Sequence, residues 1–134
     1  MNRRVAEKAF AAVLGILLGA APPAAARTAG PVQAFDSDHD GTVDLGEATA
    51  AANRIFDRLD RDRDGTLDRR ELRGRLGARE LAAADDDHDG TLTKNEYAAA
   101  VEKRFKAADR DGDGTLDDRE LRSGAGRALQ RLIR

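Results

Sequence analysis

Four copies of a twelve-residue pattern constrain the fold of this chain more than any other feature. Each copy reads Asp-x-Asp-x-Asp-Gly-Thr, continues with Val or Leu, and ends three variable positions later in Glu. The copies span residues 36–47, 60–71, 85–96 and 109–120, and we refer to them as loops 1 to 4. Alternating carboxylates with a glycine at position 6 predict a tight turn whose oxygen atoms converge on one hard cation.

This pattern resembles the calcium-binding loop of the EF-hand family, and the resemblance covers residues 36–120. In such a loop, side chains at positions 1, 3 and 5 and the carbonyl of position 7 bind the ion, position 9 acts through water, and position 12 contributes two oxygens. Position 9 is Asp in three loops and Thr93 in loop 3. The resemblance implies that the metal ligands are Asp36, Asp38, Asp40, Thr42, Glu47, Asp60, Asp62, Asp64, Thr66, Glu71, Asp85, Asp87, Asp89, Thr91, Glu96, Asp109, Asp111, Asp113, Thr115 and Glu120.

The residue at position 12 bears on the choice of metal. It is Glu in all four loops. A bidentate glutamate suits a large ion with roughly six to eight ligands better than the small, octahedral magnesium ion. We therefore expect about four bound calcium ions. Four complete copies also argue against degenerate relics or merely acidic surface turns.

The spacing of the loops predicts an all-α, EF-hand-like fold in which short helices join the four loops and short β-ribbons pair them. Loop starts are 24, 25 and 24 residues apart, which leaves room for one helix between loops rather than the usual two. Apolar residues at helical spacing predict one helix between loops 1 and 2 and another between loops 3 and 4. These residues are Ala48, Ala52, Ile55, Phe56 and Leu59 in the first, and Tyr97, Val101, Phe105 and Ala108 in the second.

The segment between loops 2 and 3 differs, because Gly74 and Gly77 interrupt the apolar pattern and predict a turn. The chain then divides into similar halves, 36–73 and 85–122, each with a loop, a helix, a loop and a short helix. We expect loop 2 to pair with loop 3 across the turn. Loop 1 lacks a proper entering helix, so its pairing with loop 4, or with no loop, stays open.

Residues 1–26 have the composition of a secretory signal peptide. Positive residues precede an apolar run at 9–21, and the small residues 24–26 offer a cleavage site. An uncleaved membrane anchor is the alternative, but Pro22-Pro23 ends the run before the roughly 20 residues that a bilayer requires. We expect residues 27–134 to form the EF-hand domain, periplasmic or secreted, with no stable membrane anchor after cleavage. The export route stays open.

Acidic residues are concentrated in the loops, which hold five or six carboxylates each. After residue 26, only Asp57, Glu80 and Glu102 lie outside them. Mutual repulsion of these carboxylates should loosen the fold when metal is absent. The basic residues between the loops are interpreted as solvated helix faces rather than as a nucleic-acid surface.

The remaining residues predict a small core that metal binding supplements. Cysteine is absent, aromatic residues make up 4% of the chain, and many apolar residues are alanine. Phe35, Phe56, Phe105 and Tyr97 are expected in this core, and a C-terminal helix bearing Leu129, Leu132 and Ile133 is expected to cover it. His39 and His88, at position 4 of their loops, are expected to be solvated.

The sequence contains no enzyme signature, because the clustered carboxylates all belong to the loops. We therefore expect an exported calcium buffer or a module whose fold calcium stabilises. The alternative is a calcium-triggered sensor that binds a specific protein partner, which remains unidentified. The methionine-rich groove of broad-range sensors is not expected, since Met1 is the single methionine.

Overall fold

A computed structural model describes residues 30–134 of the chain. The predicted signal peptide, residues 1–26, lies outside the described residues. Within 30–134, no helix combines the length and the apolar character needed to cross a membrane.

The described residues alternate loops with helices and very short strands. Five α-helices and four two-residue strands follow a 3₁₀ turn at Val32–Ala34. In chain order the elements are β1 (Val43–Asp44), α1 (Leu45–Leu59), β2 (Thr66–Leu67), α2 (Ala78–Ala84), β3 (Leu92–Thr93), α3 (Lys94–Ala108), β4 (Thr115–Leu116), α4 (Asp118–Arg122) and α5 (Gly124–Ile133).

Helices α1 and α3 each connect two loops, as the spacing predicts. Each begins within one loop and ends where the next loop starts, at Asp60 for α1 and at Asp109 for α3. Both are 15 residues long, which corresponds to about 22 Å. One rigid element therefore leaves one loop and enters the next, so the loops at its two ends are held apart.

Two antiparallel ribbons pair the four loops. Strands β2 and β3 join loop 2 to loop 3, with Leu67 opposite Leu92, which confirms the expected pair. Strands β1 and β4 join loop 1 to loop 4, with Val43 opposite Leu116, and this resolves the pairing that the sequence left open. All four of these position-8 side chains are fully buried. The EF-hand-like, all-α fold with short β-ribbons is thus confirmed.

The core lies between α1, α3 and α5, which pack against one another. The four predicted aromatic residues are all buried, and the rings of Phe56 and Tyr97 meet edge to face at 5.8 Å. Leucine, not alanine, is the most frequent residue in this core, because many alanines on α2 and α3 face solvent instead. The buried leucines are Leu67, Leu72, Leu76, Leu81, Leu92, Leu116, Leu121, Leu129 and Leu132.

The segment that follows loop 2 is a turn rather than the predicted short helix. Residues 69–75 form hydrogen-bonded turns, in which Leu72 donates to the carbonyl of Asp68 and Leu76 to that of Leu72. Gly74, at φ +82°, ends this helical path, and α2 begins only at Ala78. The two halves of the chain therefore differ here, since α4 begins within loop 4 at Asp118 and continues to Arg122.

Helix α5 covers the core, as the apolar pattern of the C-terminal tail predicts. Leu129, Leu132 and Ile133 are buried against α1 and α3. The hydroxyl of Tyr97 donates to the carbonyl of Leu132 at 2.6 Å. Arg104 of α3 donates to the carbonyl of Ala128 at 2.6 Å and pairs with a carboxylate of α2. These contacts fasten α5 to α3.

The buried hydroxyl of Tyr97 makes the stability of the protein depend on pH in the alkaline range. Burial raises the pKa of Tyr97 to about 12 from an ordinary value of 10. The folded state therefore holds this proton more tightly than the unfolded state, so the stabilisation is complete below pH 10 and is lost as the pH rises towards 12. The rise in the pKa from 10 to about 12 corresponds to a loss of about 3 kcal/mol.

Tyr97 is the single tyrosine in the chain, so tyrosinate absorbance reports its ionisation directly. We expect half-ionisation near pH 12 in the folded protein. Urea unfolding of wild type and of Tyr97→Phe, measured across this pH range, isolates the contribution of the hydroxyl. Half-ionisation at pH 10 in the folded protein would contradict the burial of this group.

Candidate metal centres

The backbone of each loop turns twice through the left-handed region, at positions 4 and 6. Position 6 is the predicted glycine, with φ between +85° and +91°. Position 4 also has positive φ, although it is His39, Arg63 or His88 in three loops and Gly112 in the fourth. Sequence reasoning missed this second turn, for which the glycine of loop 4 was the available signal. Both histidines are exposed, as expected.

The carboxylate at position 1 closes each loop by accepting hydrogen bonds from backbone N–H groups later in the same loop. In loop 2, Asp60 accepts from the N–H of Gly65 at 3.1 Å and from that of Asp64 at 3.2 Å. The bond from the glycine at position 6 recurs in all four loops at 2.8–3.1 Å. The donors and acceptors are Gly41 and Asp36, Gly65 and Asp60, Gly90 and Asp85, and Gly114 and Asp109.

The carboxylates at positions 3 and 5 are held in the same way. In loop 2, Asp62 accepts from the N–H of Asp64 at 3.3 Å, and Asp64 accepts from both the N–H and the hydroxyl of Thr66 at 2.8 Å. The same three bonds occur in the other loops. Their acceptors are Asp38 and Asp40 in loop 1, Asp87 and Asp89 in loop 3, and Asp111 and Asp113 in loop 4.

Threonine at position 7 is explained by this geometry. Its hydroxyl and N–H both donate to the position-5 carboxylate, which holds the side chain on one side of the loop. The hydroxyl is thus engaged within the loop, and the carbonyl remains as the group that the family pattern assigns to the ion. Thr42, Thr66, Thr91 and Thr115 all share this arrangement.

The glutamate at position 12 joins the two ends of each loop. In loop 2, one oxygen of Glu71 accepts from the N–H of Arg61 at position 2, at 2.9 Å. The other accepts from the N–H of Asp68 at position 9, at 3.1 Å, while Asp68 accepts from Glu71 in return. This reciprocal pair is a capping box, and it recurs at the start of α1, α3 and α4 with Glu47, Glu96 and Glu120.

Position 9 therefore has a role that the family pattern does not reveal. Asp44, Thr93 and Asp117 are the N-cap residues of the helices that leave loops 1, 3 and 4. Threonine is an adequate N-cap, which explains why loop 3 retains the capping box without an aspartate at this position.

The predicted ligands form one oxygen cluster in each loop. In loops 2, 3 and 4, oxygens from positions 1, 3 and 12 all lie within 4.8 Å of one another. In loop 1 the corresponding cluster is made by Asp36, Asp38 and Asp40, so Glu47 lies outside it. The clusters in the other loops are Asp60, Asp62 and Glu71, then Asp85, Asp87 and Glu96, and finally Asp109, Asp111 and Glu120.

The position-5 residues Asp64, Asp89 and Asp113 lie outside these compact clusters, although they are hydrogen-bonded within the same loops. Glu47 likewise accepts from the N–H of Ser37 and caps α1. Each loop thus holds its predicted residues together through local hydrogen bonds.

Repulsion within the clusters acts on the carboxylate at position 3. The N–H of Asp64 lowers the pKa of Asp62, but burial and the charges of Asp64 and Glu71 outweigh it and raise that pKa above its ordinary value. The pKa is raised in the same direction at Asp38, Asp87 and Asp111. A hydrogen bond to the position-1 carboxylate adds to the rise in loops 1, 2 and 3, and the charge of Asp109 adds to it in loop 4. A cation would relieve this repulsion.

The carboxylates at position 1 respond in the opposite direction in two loops. Burial raises the pKa of Asp85, but hydrogen bonds from Gly90, Asp87, Asp89 and His88 together lower it below its ordinary value. Asp36 behaves in the same way, with Gly41 as the main donor. These carboxylates therefore remain charged and available to a cation.

The donor set in the loops fits a hard cation. Every side chain in the clusters offers carboxylate oxygen, and the chain contains no cysteine. Hard oxygen ligands of this kind suit ions such as calcium and magnesium rather than the softer transition metals.

The EF hand family model matches three stretches of this chain. The matched residues are 53–76, 78–101 and 101–124, which together cover more than half of the sequence. These stretches contain loops 2, 3 and 4, each with the helical segment that precedes it. Within residues 30–134, the element that precedes loop 1 is the 3₁₀ turn at Val32–Ala34.

The chain is also similar to lanmodulin from Methylorubrum extorquens. The two sequences are 54% identical over 68 residues, which is 48% of this chain and 51% of lanmodulin. The match therefore spans about half the length of this curated relative.

Proposed function

This chain belongs to the EF-hand family, and on that premise we propose that it binds four calcium ions, one in each loop, as an exported calcium buffer or a module that calcium stabilises. The observation that carries this proposal is the convergence of carboxylate oxygens within 4.8 Å in all four loops. The ligands are the twenty residues assigned from the loop pattern. In each loop the bound ion would neutralise part of the negative charge of the carboxylates, which otherwise repel one another.

Calcium is expected to bind in preference to magnesium because each loop ends in a glutamate at position 12. Glutamate at position 12 already lies beside positions 1 and 3 in loops 2, 3 and 4. Its two oxygens favour a large ion with a flexible coordination sphere. Magnesium holds its waters tightly and requires a compact octahedral site.

Calorimetric titration of the chain without residues 1–26 tests this proposal. We expect close to four calcium ions per chain and weak competition by magnesium. Titration with magnesium alone is the control. A stoichiometry of one or zero, or equal affinities for the two ions, would contradict the proposal.

A trivalent hard cation of the lanthanide type is the second candidate, and the charge of the loops favours it. Each loop carries five or six carboxylates, so one divalent ion leaves a net negative charge. A trivalent ion gains more Coulomb energy from the same cluster. Titrating lanthanum into the calcium-loaded protein decides between the two, because displacement at equimolar concentrations would assign the sites to the trivalent ion.

Export is part of the proposal and rests on the pattern of residues 1–26. Mass spectrometry of the protein recovered from the producing cells would detect cleavage after Ala26. An intact leader on protein recovered outside the cytoplasm would contradict cleavage, and recovery of the protein from the cytoplasm alone would contradict export. Neither result would bear on the metal sites.

The two ribbons predict which loops depend on each other. Glu71→Gln is expected to remove calcium from loop 2 and to weaken loop 3 about tenfold, because β2 pairs directly with β3. Loop 1 shares only helix α1 with loop 2, so it should be weakened less. Backbone NMR signals of the glycines at position 6 report the occupancy of each loop separately.

Glu47→Gln is the matched control, because it makes the same change in the other ribbon. It should weaken loop 4 more than loops 2 and 3, since β1 pairs with β4. If Glu71→Gln instead affects loop 1 most, coupling passes through the shared helices and not through the ribbons.

A further inference from the structure

A cluster of arginine side chains lies between the turn that follows loop 2 and helix α5. We define this arginine cluster as Arg73, Arg75, Arg127, Arg131 and Arg134. Together with Gly74 and Gln130, these arginines line an open cleft of about 450 Å³. No carboxylate side chain lines the cleft; among residues 30–134, the acid that approaches the cluster is Glu80, whose oxygen lies 3.8 Å from Arg131.

The framework of this cleft is held by hydrogen bonds. Arg75 donates from one nitrogen to the backbone oxygens of Arg131 and Arg134, at 2.8 and 2.7 Å, which fixes the turn against the end of α5. Gln130 donates to the carbonyl of Leu121 at 2.7 Å, which fixes α5 against α4. The positions from which the arginines project are thus determined by the fold.

The arrangement is costly for the protein alone. Positive side chains converge from two segments far apart in sequence, and Arg73 and Arg127 form no ion pair with any of residues 30–134. Both side chains are exposed and free to turn towards a ligand. Like charges placed together raise the local potential and attract anions.

We propose that the arginine cluster binds a phosphate group. The cluster contains arginine and no lysine, and the planar guanidinium donates paired hydrogen bonds that match two phosphate oxygens. A volume of about 450 Å³ accommodates a phosphate with part of the molecule that carries it. That carrier is either a soluble phosphate compound or the headgroup of an anionic lipid, and the open shape of the cleft admits both.

Inorganic phosphate is the first probe. It is titrated into the protein loaded with four equivalents of calcium, at concentrations below the solubility limit of calcium phosphate, and the arginine Nε–H signals are followed by NMR. We expect saturable shifts that are confined to the arginine cluster. Phosphatidylcholine vesicles with and without phosphatidylglycerol form the second arm, read by co-sedimentation.

The double variant Arg73→Gln/Arg127→Gln tests the site, because neither side chain supports the fold through a hydrogen bond to residues 30–134. We expect binding to weaken at least about tenfold. The matched control is Arg54→Gln/Arg58→Gln, which removes the same charge from exposed positions of α1 and should change binding less than twofold. Circular dichroism checks that both variants remain helical.

The two arms separate the sources of phosphate. Binding of inorganic phosphate without vesicle binding identifies a soluble compound, and binding to phosphatidylglycerol vesicles alone identifies a lipid headgroup. The proposal is overturned if neither probe binds, or if both double variants lose binding equally. In the latter case the attraction is a diffuse effect of net charge.

Discussion

Removing calcium with a chelator is expected to lower the melting temperature of this protein by at least about 20 °C and to reduce its helicity. Each empty loop holds five or six carboxylates. With a dissociation constant of about 0.1 mM, millimolar calcium would contribute about 1.4 kcal/mol per site. Four such sites add about 6 kcal/mol, which is comparable with the whole stability of a small domain.

The structure gives a specific reason for this dependence. Helices α1 and α3 each carry a glutamate of one loop at their first turn and reach the first aspartate of the next loop at their other end. An unoccupied loop therefore disturbs the helices that form two sides of the core. Repulsion between carboxylates in the loops at both ends of α1 and α3 therefore acts on two helices that pack in the core.

Circular dichroism melts in chelator, in chelator with 1 M salt, and in calcium separate the contributions. Salt should recover part of the lost helicity, because it screens the repulsion between carboxylates. Calcium alone should produce a sharp, cooperative melt, because it links positions 1 and 12 of each loop directly. Full helicity and an unchanged melting temperature in chelator would favour the sensor alternative over the structural one.

Gly126→Ala is expected to lower the free energy of unfolding by about 3 kcal/mol or more. A Cβ atom at this position would lie 2.1 Å from the carbonyl oxygen of Glu120 and 2.5 Å from the Cα of Leu121. Both are backbone atoms of α4, so relief requires α4 and α5 to separate. Separation would pull Leu129 and Leu132 away from the core that they cover.

Gly124→Ala is the control within the same helix. A Cβ atom at Gly124 meets nothing within 4 Å. Alanine there should be neutral or should stabilise the protein, because it favours helix formation by up to about 1 kcal/mol over glycine. Urea unfolding of both variants in excess calcium provides the comparison. Equal stabilities for the two variants would show that α4 and α5 do not approach as closely as described.

The loops were predictable because they are local structures. The hydrogen bonds that shape loop 2 run between Asp60 and Glu71, within twelve residues. Residue types at fixed positions therefore determine where the carboxylates lie. The same locality explains why position 4 could have been read from Gly112, since a glycine there marks positive φ.

The helices between loops were also predictable, because α1 and α3 combine a capping box at one end with apolar residues at helical spacing. The short helix predicted after loop 2 was wrong. Residues 69–75 form hydrogen-bonded turns that end near Gly74, whose φ is +82°, whereas the equivalent residues 118–122 form α4. Both segments are short, and short helices gain little from propagation.

The four loops, the carboxylates that cluster in each of them and the single connecting helices could be predicted from the amino-acid sequence, because they depend on interactions between near neighbours. Three features became visible in the folded chain: the pairing of loop 1 with loop 4, the hydrogen bond from Tyr97 to Leu132 that fastens α5, and the arginine cluster. These contacts join residues far apart along the chain. Their formation depends on how α1, α3 and α5 pack as a unit, and no local pattern encodes that packing.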